Sequence, residues 1–291
     1  MSLALVYLAR GTNGGLPAVK SFFEAYDAYP ARCPHELIVI VKGWSGVEGQ
    51  DELRQLAQAH AARLVELPDD GFDWGAYMRL APQLSHEWLC FLNTHSRPRV
   101  GGWLNLLKKA ADAGGSRFGA VGATASRQTS APILPLPSPK YSILLYPLRM
   151  SSYAFRFLTN IGDFSSFPNP HLRSNAFLVR RELFVDFVST QKIPCCKRDA
   201  AMLESGRSGF SAFLAQRGLK ALVAGADGKV YESEHWVNSE TFRVPGQSNL
   251  LVTDNQTTSY EAAAPSFRKM LEKAAWGKIL SRSKACFGSR V

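Results

Sequence analysis

Apolar runs and helical spacings alternate along the first 125 residues of the chain. Continuous apolar runs suited to buried strands cover residues 3–9, 37–41, 64–67, 88–92 and 118–123. Between them, apolar residues recur at helical spacing over residues 16–29, 51–63, 73–84 and 103–113. The run L-I-V-I-V at 37–41 is typical of a parallel strand that helices cover on both faces. This alternation predicts an α/β fold, with a Rossmann-like, mostly parallel sheet flanked by helices.

The pattern changes at Arg127 and becomes irregular until Pro170. This stretch is rich in Pro, Ser and aromatic residues, and its prolines exclude a regular helix or a central strand. Long irregular segments inside a domain are usually functional, so residues 127–170 are predicted to form an insertion or lid.

Regular patterns resume beyond the insertion. They predict a strand at 173–179, a helix at 181–188, one helix across 199–216, a last strand at 219–224 and a final helix at 266–280. The chain is therefore divided into the first half of the sheet (1–126), the insertion (127–170), the second half (171–235) and a C-terminal extension with a helix and a basic tail (236–291).

Composition and charge narrow the class of protein. The 291 residues are 46% hydrophobic, which is ordinary for a globular protein, and the net charge of +10 favours anionic partners. The charge is spread and no nucleic-acid-binding module is recognisable, so nucleic acid is not an expected partner. No apolar stretch reaches transmembrane length and the first ten residues do not resemble a signal peptide. The basic tail either contacts an anionic membrane surface or is a plain disordered terminus.

The cysteines indicate a reducing compartment. There are five, an odd number, without a C-x-x-C pair, so neither a zinc site nor a disulfide framework is expected. The adjacent Cys195 and Cys196 have no evident partners in the sequence and are interpreted as an inert or exposed pair. A cytoplasmic protein, at most attached to the inner face of the membrane, is the expectation.

The most informative polar motif follows the strand at 88–92. The apolar run ends abruptly in Asn93, Thr94, His95 and Ser96, and R-P-R-V-G-G-W-L comes next. Open α/β sheets bind ligands at the carboxyl ends of their strands. Asn93 and His95 are therefore candidates to ligate a metal or to donate to phosphate; the alternative is a set of satisfied surface residues.

Two further motifs follow strands of the first half. R-G-T-N-G-G, which contains Arg10 and Gly11, offers backbone amides to a phosphate or is simply a strand-to-helix turn. P-D-D-G-F-D-W-G-A-Y contains Asp69, Asp70 and Asp73. Its carboxylates are either site residues or, alternatively, a solvated turn followed by a helix N-cap at Asp73.

The second half contributes a candidate general base. Glu204 lies in A-M-L-E-S-G-R-S-G-F, beside Ser, Gly and Arg. Asp199 is the competing candidate, and a helical surface carboxylate is the alternative for Glu204. Arg207 is a candidate to pair with Glu204 or to bind a phosphate.

In this order the motifs resemble GT-A glycosyltransferases, of the family-2 group and its rhamnan-synthesis relatives. L-N-T-H-S followed by W-L is similar to their strand-end motif L-N-x-D-T/S, and G-F-D-W-G-A-Y resembles their block G-[YF]-D-[FW]-G-A. L-E-S-G-R-S-G-F is similar to their downstream acidic motif, with Glu204 in the acidic place. The resemblance covers about residues 1–235.

The resemblance implies an inverting transferase for bacterial-type surface polysaccharide synthesis. Its donor would be a nucleotide-diphospho-sugar, bound near Asp70, Asp73 and the Asn93–Ser96 motif, and its acceptor a glycan or a lipid-linked hydroxyl. Glu204 would deprotonate that hydroxyl. The insertion would form an acceptor wall from Tyr141, Tyr146, Tyr153 and Phe155.

Two departures from the family pattern matter. His95 stands where the family's DxD motif has its metal carboxylate, and imidazole suits Mn²⁺ better than Mg²⁺. Use of Mn²⁺ through His95, diphosphate binding without a metal, and loss of activity all stay open. The base-recognition Asp after the second strand is also absent, and Glu48 is its candidate replacement. The alternative function is a non-catalytic relative that binds a glycan or a protein partner.

Overall fold

The computed structural model describes residues 2–130 and 162–277. The strands in these ranges are β1 (Leu3–Arg10), β2 (Glu36–Lys42), β3 (Arg63–Glu66), β4 (Trp88–Leu92), β5 (Arg97–Pro98), β6 (Phe118–Gly122), β7 (Ala125–Ser126), β8 (His171–Leu172), β9 (Ala176–Arg180), β10 (Lys220–Ala224), β11 (Val230–Tyr231) and β12 (Val252–Thr253). Eight of them form one sheet in the order β11-β10-β6-β9-β4-β1-β2-β3. β9 runs antiparallel to both of its neighbours and β11 to β10, while the other pairs are parallel. The predicted mostly parallel sheet is confirmed.

Helices lie on both faces of this sheet. They are α1 (Gly15–Ala28), α2 (Gln50–Ala59), α3 (Phe72–Leu80), α4 (Trp103–Ala113), α5 (Arg181–Ser189), α6 (Lys197–Ser205), α7 (Phe210–Gln216), α8 (Asn255–Ala262) and α9 (Pro265–Trp276). Within the described ranges, no helix combines the length and the apolar character needed to span a bilayer.

The period-two alternation of the central strands explains the two core layers. In β1, Val6 and Leu8 pack on one side of the sheet, with side chains of α3, α5, α6 and α7. Leu5 and Tyr7 pack on the other side, with α1, α2 and α4. Because both faces are covered, the strands read as unbroken apolar runs rather than as alternating ones.

Three sequence predictions in the second half are wrong. The predicted helix at 199–216 is two helices, α6 and α7, because the chain turns back at Gly206 and Gly209. A Cβ atom at either glycine would lie 2.5 Å from the Met202 carbonyl oxygen, so the turn is too tight for a side chain. The strand expected at 173–179 begins only at Ala176, and residues 220–224 are not the last strand, since β11 and β12 follow. The central part of the insertion, with the four aromatic residues assigned to the acceptor wall, and the tail beyond residue 277 lie outside the described residues.

A buried ion pair joins the C-terminal extension to the sheet. Arg173 Nη2 lies 2.7 Å from Asp254 Oδ2, and the two side chains are 7% and 0% exposed. The other oxygen, Asp254 Oδ1, accepts from the Thr257 amide at 2.8 Å and caps α8. The Arg173 guanidinium also lies over the Phe242 ring, with 4.2 Å between them. The extension is therefore fixed to the segment that leads into β9.

Replacement of Asp254 by Asn should destabilise the protein by about 3–5 kcal/mol, because Arg173 would remain buried without a counter-charge. Burial alone would raise the pKa of Asp254, but Arg173 and the Thr257 donors outweigh it and hold that pKa below its usual value. The contribution is therefore present at neutral pH and is lost as pH falls below about 4. Urea unfolding at pH 7 measures the loss. The control is Asp186→Asn, which removes an exposed pair with Arg217 and should cost less than about 1 kcal/mol; equal losses would contradict the assignment.

Candidate active site

One edge of the sheet gathers the polar residues of both halves of the chain. The parallel strands β1, β2, β3 and β4 end there, and the antiparallel β9 begins there. Residues 171–175, which precede β9, therefore lie beside the loops that follow β1 to β4. Open α/β sheets bind ligands at this edge.

Asp69 organises the loops after β1 and β2. Its carboxylate accepts from Arg10 Nε at 2.7 Å and from Thr12 Oγ1 at 2.9 Å. Partial burial would raise the pKa of Asp69, but the Arg10 and Thr12 hydrogen bonds lower it below the usual value. Asp69 is thus a fixed negative charge between the first three loops.

The buried Lys42, which none of the sequence motifs includes, holds the turn that contains Asp69, Asp70 and Asp73. Its side chain is 0% exposed and lies 3.9 Å from Asp69 Oδ1. The ammonium donates to the carbonyls of Asp70 at 2.6 Å and Phe72 at 2.8 Å. Burial lowers the pKa of Lys42, Arg10 lowers it further, and the three aspartates of this turn oppose both. A lysine at the end of an apolar strand was the only sequence signal.

Gly11 is required by close packing of two loops. A Cβ at Gly11 would lie 2.4 Å from the Gly43 carbonyl oxygen. Its amide donates to the Lys42 carbonyl at 3.0 Å. That amide is consequently occupied within the protein.

Asp70 and Asp73 have different surroundings. Asp70 is exposed and its carboxylate is paired with Arg79, whose Nε lies 3.2 Å from Oδ1. Asp73 lies in the first turn of α3, although Gly71 and not Asp73 holds the N-cap position. Burial, and then the charge of Glu204, raise the pKa of Asp73 to about 6, against the opposing effects of Lys42 and Arg10. A carboxyl whose pKa lies near neutrality is a recognised mark of functional sites.

The Asn93–Ser96 motif forms a loop that is held by hydrogen bonds among its own residues. Asn93 Oδ1 accepts from the His95 amide at 3.1 Å and lies 2.9 Å from Ser96 Oγ. The Asn175 carbonyl accepts from the Asn93 amide at 3.2 Å and also from Ser96 Oγ. Thr94 is buried and its carbonyl accepts from Tyr7 at 3.0 Å. Three of the four polar residues therefore shape the loop.

Like Asn93, His95 remains partly exposed. Its Nε2 lies 3.3 Å from Asn13 Oδ1, in the loop after β1. Burial lowers the pKa of His95, while the charge of Asp254 acts in the opposite direction. The ring is therefore neutral at pH 7.

A hard divalent cation such as Mn²⁺ does not fit the donors around His95. Asn93 Oδ1 already accepts from the His95 amide, and Asp254 is held by Arg173 and Thr257. Among the described residues, no group of three His, Cys, Asp or Glu ligands includes His95. Mn²⁺ prefers several carboxylate and carbonyl oxygens, and the residues around His95 do not offer such a set.

Glu204 faces this edge from α6. Its Oε1 accepts from the Ser174 amide at 2.7 Å, which fixes one carboxylate oxygen. Its charge acts on both Asp73 and the buried His171. His171 Nδ1 lies 2.8 Å from the Asn169 carbonyl, which can only accept, so this nitrogen carries the proton.

The other two candidates of the second half lie apart from Glu204. Arg207 is exposed, and its amide donates to the Asp163 carbonyl at 2.8 Å, at the end of the insertion. Asp199 lies in the first turn of α6, where Oδ2 accepts from the Cys195 and Cys196 amides at 3.0 and 3.3 Å. A further hydrogen bond, from the Cys195 thiol, is the largest influence that lowers the pKa of Asp199. Asp199 is therefore engaged at the helix start, about one and a half turns from Glu204.

Comparison with known proteins gives likenesses of structure. No protein-family profile matches the sequence, and no curated protein sequence is detectably similar to it. A CMP:2-keto-3-deoxy-manno-octonic acid synthetase complexed with CTP has 11% identity and a TM-score of 0.42, over 77% of this chain and 89% of that one. A 4-diphosphocytidyl-2C-methyl-D-erythritol synthase from Anaerococcus prevotii has 10% identity and a TM-score of 0.44, over 82% and 94%.

A further solved structure is glucosyl-3-phosphoglycerate synthase from Mycobacterium tuberculosis, in complex with Mn²⁺, UDP and glucosyl-3-phosphoglycerate. Its identity is 16% and its TM-score 0.37, over 62% of this chain and 57% of that chain. At such low identities and TM-scores, these likenesses assign neither an activity nor a substrate to this chain.

Asp73→Asn should stabilise the protein at neutral pH. Because the pKa of Asp73 is about 6 in the fold and about 4 in an unfolded chain, ionising it costs stability as pH rises between these values. Asn removes that cost, so the gain should be small at pH 4 and reach about 3 kcal/mol above pH 7. Unfolding by urea across this pH range is the measurement. Asp70→Asn, which removes a surface pair, should show no such gain; a flat profile for Asp73→Asn would refute the shifted pKa.

Proposed function

We propose that this chain is a glycosyltransferase that moves a sugar from a nucleotide-diphospho-sugar to a hydroxyl of a glycan or lipid-linked acceptor, with inversion. The main support is that Glu204 is held at the sheet edge by the Ser174 amide and that its charge acts on Asp73, although the two residues lie 131 positions apart in sequence (204 − 73). The motifs that carry these two carboxylates are the ones that resemble GT-A enzymes. The proposed setting is bacterial-type surface polysaccharide synthesis, in the cytoplasm or at the inner face of the membrane.

The donor is proposed to lie over the loops after β1, β3 and β4. Arg10 is the partly exposed cation of this surface, with its side chain 18% exposed, whereas Lys42 is buried and holds the turn. The neutral His95 ring is proposed to donate its Nε2–H to the diphosphate in place of the long 3.3 Å contact with Asn13 Oδ1, and Arg10 contributes charge. Gly11, Asp70, Asn93, Thr94 and Ser96 shape this surface, and Asp73 lies nearest the sugar.

In the proposed reaction Glu204 is the general base. One carboxylate oxygen is held by the Ser174 amide, and the carboxylate accepts the proton of the acceptor hydroxyl. The hydroxyl oxygen then forms a bond to the anomeric carbon while the bond from that carbon to the diphosphate breaks. The electron pair leaves with the diphosphate, whose charge the Arg10 guanidinium stabilises. Attack opposite to the leaving group inverts the anomeric centre.

The same proposal assigns a role to each part of the chain. Residues 1–126 bind the nucleotide-sugar, 127–170 cover the acceptor and 171–235 supply the base. Arg207 links the last two parts, since it contacts the backbone of Asp163 and Phe164 at the end of the insertion.

The rival proposal is a non-catalytic relative that binds a glycan or a protein partner. The electrostatics favour an enzyme, because ionisation of Asp73, which burial and the charge of Glu204 oppose, costs the fold stability at neutral pH. A binding protein gains nothing from that cost. Failure of every nucleotide-sugar to be hydrolysed or transferred, with no nucleotide diphosphate raising the Tm, would favour the rival.

Glu204→Gln should lower the transfer rate by about 10²–10⁴-fold and leave nucleotide affinity unchanged, because the amide accepts the Ser174 hydrogen bond but takes no proton. Product formation from a panel of nucleotide-sugars, with calorimetric binding of the nucleotide, separates the two quantities. The matched control is Glu182→Gln, an exposed residue in the first turn of α5. Normal turnover in Glu204→Gln would exclude it as the base.

His95→Ala should weaken binding of a nucleoside diphosphate by about 10–100-fold, the worth of one hydrogen bond to a charged group. A thermal-shift screen of nucleoside diphosphates, each with EDTA and with Mn²⁺, measures this and identifies the preferred base. The wild type should respond equally under both conditions, because the donors around His95 do not suit Mn²⁺. A shift that needs Mn²⁺ and is lost in His95→Ala would instead make His95 a metal ligand.

A further inference from the structure

A second group of chemically reactive side chains lies at the start of α6. The ligand atoms of Cys195, Cys196 and Asp199 lie within 4.8 Å of one another; both thiols are exposed and Asp199 is partly buried. The sequence alone left the two cysteines without a partner. The structure provides a partner for them, because the first turn of α6 places the carboxylate of Asp199, three residues after Cys196, beside the two thiols.

The backbone around this group is fixed by local hydrogen bonds. Cys196 is the N-cap of α6 and Asp199 forms a capping box with it. Asp199 Oδ2 also accepts from Cys195 Sγ at 2.9 Å, in addition to the Cys195 amide. One carboxylate therefore holds both cysteines in place, and a ligand would find the three groups already close together.

The preceding residues anchor the group to the rest of the protein. Pro194 is buried and Ile193 packs against the main core layer. The Ile193 side chain lies against Gly71 and Gly75, on either side of Asp73. The two thiols thus stand on a rigid, solvent-accessible turn rather than on a free loop.

We propose that Cys195, Cys196 and Asp199 form a binding site for a thiophilic divalent cation of the Zn²⁺ class. Two sulfurs and one carboxylate oxygen are three of the four ligands of a tetrahedral zinc site, and the exposed side admits a water as the fourth. Both thiols lose their protons on binding, so one divalent cation replaces two protons. Thiolate ligands select such ions against Mg²⁺, Ca²⁺ and Mn²⁺.

This site is distinct from the proposed transfer chemistry. It occupies the first turn of α6, whereas Glu204 lies near the end of that helix, and neither cysteine is among the groups that shift the pKa of Asp73. A cation there would tie the α5–α6 connection to the helix that bears the base. The inference does not depend on the proposed function, and it is tested by binding alone.

The test is a Co²⁺ titration of the full chain in a non-thiol reductant, followed by displacement with Zn²⁺. A Cys286→Ser background removes the thiol of the tail. One equivalent of Co²⁺ should give a thiolate-to-cobalt charge-transfer band that Zn²⁺ abolishes. Cys195→Ser and Cys196→Ser should each lose the band, and the half-buried Cys33→Ser should retain it.

Asp199→Asn tests the third ligand separately, because the Asn side-chain oxygen can still accept from the Cys195 and Cys196 amides but carries no charge. Its Co²⁺ affinity should fall by more than about tenfold, since even outer-shell changes commonly cost that much. Circular dichroism should show all variants folded. The absence of a band in the wild type, or a band that survives both serine variants, would overturn the site; an unchanged affinity in Asp199→Asn would overturn the three-ligand assignment.

Discussion

The buried pair between Arg173 and Asp254 is the contact on which the geometry of the site depends. It fixes the five residues that lead into β9, and those residues reach both sides of the site. The Ser174 amide holds Glu204, and the Asn175 carbonyl receives Asn93 and Ser96. Glu204 and the Asn93–Ser96 loop, which are far apart in sequence, are thus positioned by one short segment. Removing one partner of a buried ion pair destabilises a protein far more than replacing the whole pair with apolar residues does. The segment therefore depends on both Arg173 and Asp254.

Charge balance at the sheet edge follows from that arrangement. Asp73 lies within electrostatic reach of Glu204, Arg10 and Lys42, and the two cations offset only part of the cost of ionising its buried carboxyl. Lys42 acts mainly through the backbone carbonyls that it binds. The edge is therefore strained electrostatically while its loops stay well ordered, a combination expected where a protein gives up stability for chemistry.

The sequence pattern correctly predicted elements whose bounds depend mainly on residues close together in the chain. Residues 88–92 and 103–113 were predicted with their observed bounds, because an unbroken apolar run and a clear helical period decide them. The turn at Gly206–Gly209 was missed, since its tightness depends on the approach of the Met202 carbonyl. The direction of β9, the burial of Lys42 and the partners of Asn93 depend on contacts with residues distant in sequence. Those contacts decide which motif residues face a ligand and which only close a loop.

The antiparallel strand β9 also has a consequence for biosynthesis. Because it inserts between β4 and β6, the central strands of the first half cannot complete their hydrogen bonding until the chain has grown past Arg180. Arg173 then waits for Asp254, which follows it by 81 residues in the chain. Contacts this distant in sequence form slowly and late. A ribosome-bound chain therefore carries an incomplete sheet for much of its synthesis, and the Asn93–Ser96 loop and Glu204 reach their final positions only after the extension has been made.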